Sequence, residues 1–226
     1  NDIKIEKGRL LVSKLNCNGC HALDGKKGAL REWVEDKGGA PPILDGEGAK
    51  VQEKWLYDFL KEPKTIRPWL TTHMPTFDLT DEELTDLVEY FTKLDRQEAT
   101  FKDQEIPETS PEKLAAGKVV FDKFQCAKCH QINKESIAMG TSFLAPDLAI
   151  TKQRLKPRWV KEWISDPQKL EEGTMMPTYF ADGQTPVSDI LDGDANQQIE
   201  AIRDYLYTYT GGSSGDDQPK DSDQRI

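Results

Sequence analysis

Cys17-Asn18-Gly19-Cys20-His21 and Cys126-Ala127-Lys128-Cys129-His130 are one five-residue pattern written twice, with the two histidines 109 positions apart. They hold all four cysteines of the 226-residue chain, so every cysteine sits in a CxxC pair that a histidine follows. A secreted disulfide scaffold spreads its cysteines along the chain, and bridges within these pairs would close only trivial loops. The pattern calls for a chemistry that uses two thiols and one imidazole together, twice.

Outward from the two motifs the rest of the chain repeats as well. Gly8 and Gly117 each stand nine residues ahead of the first cysteine. Gly8, Leu11, Val12 and Leu15 fall at i, i+3, i+4 and i+7, as do Gly117, Val120, Phe121 and Phe124, so an amphipathic helix runs into each motif. Ser110 and Pro111 supply a cap and a first helical residue for the second. Pro42-Ile43-Leu44 matches Pro146-Asp147-Leu148, and Trp55 and Trp159 each precede a proline, Pro63 or Pro167, by eight residues, which suits a two-turn helix. Then come His73-Met74-Pro75-Thr76-Phe77 and Met175-Met176-Pro177-Thr178-Tyr179.

A last helix closes each copy. Leu84, Leu87, Val88 and Phe91 form a stripe behind Thr80 and Glu83, a capping box; Ile199, Ile202, Tyr205 and Leu206 follow Asp194. Matching Tyr90 to Tyr205 gives an offset of 115, against 102 for the methionines before proline, and places about 13 extra residues in a surface loop over 182–194. No region alternates as a strand would, so the expected fold is all-α in two tandem domains, 1–96 and 111–210, joined by a linker over 97–110. Residues 211–226, opening Gly-Gly-Ser-Ser-Gly, read as a disordered acidic tail.

Composition narrows what fills these domains. With 36% hydrophobic and 31% charged residues, the chain is lean for two separate cores, because small domains bury a smaller share of their surface. A flat apolar cofactor in each half would complete them. The net charge of −10 argues against nucleic acid as a partner and favours protein partners that dock through a basic patch. No stretch approaches the roughly 20 apolar residues that cross a bilayer, and no signal-peptide core is visible at Asn1, so the chain reads as mature.

Two thiols three positions apart at a helix end can reach both vinyl groups of one haem, forming thioethers through Cys17 and Cys20 and through Cys126 and Cys129. The next residue, His21 or His130, then lies beneath the iron. Zinc would need the pairs to meet across the 106 residues from Cys20 to Cys126, and gives no reason for histidine to follow both. A dithiol redox motif expects strands around it. For the sixth ligand, Met74 and Met176 follow their histidines by 53 and 46 residues; a thioether suits low-spin iron and raises its potential relative to a second imidazole. Met175 aligns with His73, so Met175 and His73 stand as alternatives, His73 otherwise being a solvated loop residue. Trp55 and Trp159 are either core aromatics or haem-edge contacts through the indole N–H.

Over residues 3–210 the ordered set of glycine-bearing helix, CxxCH, proline loop, tryptophan helix, Met-Pro and C-terminal helix resembles the class I c-type cytochromes, in tandem. The resemblance implies two covalently bound haem c groups, each wrapped by one domain, with His21 and Met74 on one iron and His130 and Met176 on the other. It also implies that Gly8 crosses the helix of Tyr90-Phe91 and Gly117 that of Tyr205-Leu206, that Pro42 and Pro146 lie against the proximal imidazoles, and that the tryptophans lie near a haem propionate. Proteins of this kind are typically periplasmic electron carriers or electron-exit modules of larger complexes, including membrane complexes, and not enzymes. Dihaem peroxidases and thiosulfate dehydrogenases share the two motifs but need an iron with a displaceable or different ligand; a structural or sensory haem domain is a third reading.

Overall fold

Helix α1 (Asp2–Lys14) turns Gly8, Leu11 and Val12 inward and leaves Ile3 and Leu10 in solvent. This is the expected stripe, and a computed structural model of the protein shows it repeated: α6 (Pro111–Lys123) buries Gly117, Val120 and Phe121, with Phe124 at its end. Ser110 accepts a hydrogen bond from the Lys113 N–H and Pro111 opens the helix, as their identities dictate. The structure describes residues 2–95, 108–130, 144–171 and 173–211. The expected linker up to residue 107 and the tail from residue 212 lie outside the described residues.

The first domain continues through α2 (Ala29–Trp33), α3 (Glu47–Lys50), α4 (Glu53–Lys61) and α5 (Asp81–Leu94). The second has α7 (Ala127–His130), α8 (Thr151–Arg154), α9 (Pro157–Ser165), α10 (Pro167–Leu170) and α11 (Ala195–Leu206). Among the described residues there is no strand, only two isolated bridges. Thr80 and Glu83 complete the capping box of α5, and the Asp194 side chain caps α11 by accepting from the Gln197 N–H.

Each domain is organised by the crossing of its first and last helices. A Cβ on Gly8 would stand 2.1 Å from the Cβ of Tyr90, and one on Gly117 would stand 2.0 Å from the carbonyl oxygen of Ala201. Only glycine admits backbones this close. The second crossing corrects the sequence alignment, since Gly117 meets Ala201 one turn before Tyr205-Leu206. Leu84, Leu87, Val88, Tyr90 and Phe91 are matched in burial by Ala195, Gln198, Ile199, Ala201 and Ile202, a constant offset of 111. With the methionines offset by 102, the second copy carries nine extra residues here, not 13. The shared tyrosines had set the wrong register.

The stretch from 182 to 194 lies at the surface, as expected, but it is pinned to the core beneath it. Phe180 and Val187 are buried, and the amide of the fully buried Gln198 donates to the carbonyls of Val187 and Ile190, both at 2.7 Å. Thr185 donates to the Gln198 carbonyl oxygen at 2.6 Å. One buried amide thus ties down backbone that would otherwise leave acceptors unmet, and hydrophobic periodicity carries no trace of it.

The domains meet through equivalent segments. Val51 and Leu155, each at the end of a short helix and ahead of the tryptophan helix, form an antiparallel bridge, with Gln52 N–H donating to Arg154 O at 2.8 Å and Lys156 N–H to Lys50 O at 2.9 Å. The Lys156 ammonium is buried and donates to Gly48 O at 2.8 Å. Since positions 104 apart pair with each other, the contact approximates a two-fold.

Candidate haem sites

Each CxxCH motif follows directly on the C-terminal end of its domain's first helix. Cys17–Gly19 is a 3-10 turn, and His21 N–H closes onto Cys17 O at 2.9 Å; in the second copy His130 N–H closes onto Cys126 O at 3.1 Å. In both copies the turn folds the histidine's backbone back onto the first cysteine of its pair. All four cysteines are free thiols, and burial pushes the Cys126 thiol up to about 12. Among the described residues no group of three or more His, Cys, Asp or Glu is placed to hold a metal ion, so the two CxxC pairs do not meet as a zinc site would require.

The imidazoles are held alike. His21 Nδ1 lies 2.8 Å from Pro42 O and His130 Nδ1 lies 2.7 Å from Pro146 O. A carbonyl can only accept, so each Nδ1 carries the proton and each Nε2 offers its lone pair to a metal. Burial is the main cause holding both rings below the ordinary histidine pKa, which keeps them neutral at pH 7 and suited to ligation.

In the first domain the proline loop is itself clamped. Arg31 donates to Pro41 O at 2.8 Å and to Glu171 at 3.0 Å, while Arg67 donates to Gly38 O at 2.6 Å and Ala40 O at 3.2 Å. These guanidiniums fix the peptide that ends in the acceptor for His21. Arg31 carries no sequence signal, because the segment 24–39 that holds it has no full counterpart in the second copy.

Of the methionines, Met74 is half-buried and packs against the first core, whereas the neighbouring His73 is exposed. Met175 is 67% exposed, while Met176 is half-buried, its sulfur accepting from Trp163 Nε1 at 2.8 Å and its carbonyl from Gln168 Nε2 at 3.0 Å. Trp163 and Gln168 escaped the sequence reading. The first is legible only when the copies are superposed at the tryptophans, where it falls opposite Phe59.

Trp55 stacks on Phe59 at 4.8 Å and Trp159 on Trp163 at 5.0 Å. Each of the leading tryptophans also faces a cation from the other domain: the Arg154 guanidinium lies 5.0 Å from the Trp55 ring centre, and Lys50 Nζ lies 5.6 Å from that of Trp159.

Tandem helical domains, each presenting two thiols, a neutral half-buried imidazole and a methionine loop, define a dihaem protein of the covalently attached type. The Cytochrome c family model matches residues 5–95 and 114–210, and the chain belongs to that family. No match was found among curated proteins or among solved structures. Two such domains carry two covalently bound haem c groups. The residues fit them: each half has its pair of free thiols, its Nε2 lone pair and a thioether on the following loop. The groups supply one-electron chemistry when bound.

Proposed function

We propose that this protein is an extracytoplasmic electron carrier of a respiratory or related chain, taking and giving single electrons through two haems ligated by His21 with Met74 and by His130 with Met176. The observation that carries this reading is the identical fixing of both proximal imidazoles by a proline carbonyl, each with one half-buried methionine on the loop that follows. A second strong-field ligand on both irons leaves no coordination position for a substrate, which separates a carrier from a peroxidase or a thiosulfate dehydrogenase.

Met176 rather than Met175 is the second thioether because its sulfur is turned inward onto Trp163. The domains span 1–96 and 111–210. The acidic surface, further charged by four haem carboxylates, favours redox partners that dock through a basic patch. No helix among the described residues is long and apolar enough to cross a membrane.

Stopped-flow oxidation of the ferrous protein tests the reading. Ferricyanide should withdraw two electrons per chain, and hydrogen peroxide should not be turned over. Rapid peroxide consumption would move the assignment to the enzyme class. Met176→Ala should remove one iron to methionine-sulfur band and Met175→Ala neither; the reverse would move the ligand by one residue.

A further inference from the structure

The domain contact is nearly symmetric, but its charges are not. In the first domain Lys50 leaves α3 towards Trp159 and is neutralised on the way, its Nζ lying 3.1 Å from the buried Glu47. In the second domain Arg154 leaves α8 towards Trp55 by the same route. The residue 104 positions beyond Glu47 is Thr151, buried and without charge. Arg154 therefore lacks the internal partner that Lys50 has, and its buried Nε has no hydrogen-bond partner among the described residues.

The surroundings do not repair this. The charged groups acting on Arg154 are Glu47, which Lys50 approaches at 3.1 Å but whose Oε2 accepts no hydrogen bond among the described residues, and Arg67, which is repulsive. A buried charged donor left unmet is costly, so a complementary acceptor is expected in the assembled protein. The Arg154 guanidinium stands 5.0 Å from the Trp55 ring centre, and Trp55 packs against the same core as Cys17 and Met74, which puts Arg154 beside the first haem site. The group that belongs to that site brings two carboxylates, and both the charge and the hydrogen-bonding capacity of a carboxylate match what Arg154 lacks.

We infer that Arg154 of the second domain is a positioning residue for the first haem, pairing across the domain contact with one of its carboxylates, while the second haem receives no equivalent cation because Glu47 neutralises Lys50. This rests on the electron-carrier reading above. A cation held at the haem periphery stabilises the reduced iron, so the first haem's potential depends on a side chain that its own domain does not contain.

Arg154→Gln, Arg154→Lys and Thr151→Glu in the full holoprotein test the inference. The ferrous spectrum and near-red band of each variant first establish two haems with native ligation, so a ligation failure is told apart from a change in potential. Redox titration is then followed by proton NMR of the haem methyl resonances, assigned to each domain through Trp55 and Trp159. Arg154→Gln should lower the first haem's reduction equilibrium about tenfold, 59 mV for one electron, and the second by less than about twofold. Arg154→Lys should recover most of the loss. Thr151→Glu, which gives Arg154 the partner Lys50 already has, should lower the first potential without removing the guanidinium. An unchanged first potential in Arg154→Gln, an equal fall at both haems, or a loss in Arg154→Lys as large as in Arg154→Gln would overturn it.

Discussion

The indole N–H of Trp163 donates to the sulfur of Met176 at 2.8 Å, and Phe59, which has no donor, stands at the equivalent place in the first domain. Both pairs keep the same stacking, Trp55 on Phe59 and Trp159 on Trp163, so only the donor differs. A hydrogen bond to a ligating sulfur withdraws density from it and favours the reduced iron. With Met176 as ligand, Trp163→Phe should lower the second haem's potential and shift one of the two near-red bands. Redox titration and ferric spectra read this directly, and two unmoved bands with unmoved potentials would contradict it.

The helix crossings leave no room for a methyl group. Gly8→Ala would drive its Cβ into Tyr90, and Gly117→Ala into the backbone of Ala201. Over-packing of this kind costs about 1–3 kcal/mol, and backbone yields less readily than a flexible side chain. Thermal melts of the holoprotein should show both variants destabilised, Gly117→Ala at least as much as Gly8→Ala. A melting temperature within a degree of the parent would show that the helices can part at no cost.

Much of the helical frame was legible in the residues themselves. The caps at Thr80, Ser110 and Asp194 and the stripes of α1 and α6 follow from local chemistry. The register of α11 did not, because Tyr205 mimics Tyr90 in type while Ala201 takes its place in space. The cysteines and histidines of the sites stood out by their spacing. Arg31, Arg67, Arg154 and Trp163 did not, since each acts across a distance in sequence that no local pattern encodes, from the 10 residues between Arg31 and Pro41 to the second domain's reach onto Trp55.

Folding should depend on the cofactors. The buried clusters are small and built around the helix crossings, so the haems are expected to complete them. Replacing all four cysteines by alanine and expressing the chain without haem attachment should abolish near-ultraviolet dichroism and a cooperative melt. A sharp melt in that protein would show that the polypeptide closes its cores alone.

Acid should destabilise the protein through its caps and ion pairs. The Tyr57 hydroxyl and Lys61 hold Asp81 below the ordinary carboxylate range, the Thr80 N–H does so for Glu83, the Gln197 N–H for Asp194, and Lys161 for Glu200. Each pKa is lower folded than unfolded, where it lies near about 4, so the stability these groups contribute is present above that value and lost as pH falls through the folded values. Asp95, pushed up chiefly by burial, works in the opposite sense. The melting temperature should hold from about pH 7 to 5 and drop towards pH 3, with a smaller drop in Glu83→Gln/Asp194→Asn. A melting temperature that rises over that range would contradict the balance.

The central claim is that both irons carry histidine and methionine, and the ferric near-red absorbance counted per chain tests it most directly. Two equivalents of the iron to methionine-sulfur band for two haems are expected, falling to one in Met74→Ala and to one in Met176→Ala. A single equivalent in the parent protein would mean that one haem has a different or open sixth position, and the carrier assignment would give way to a dihaem enzyme.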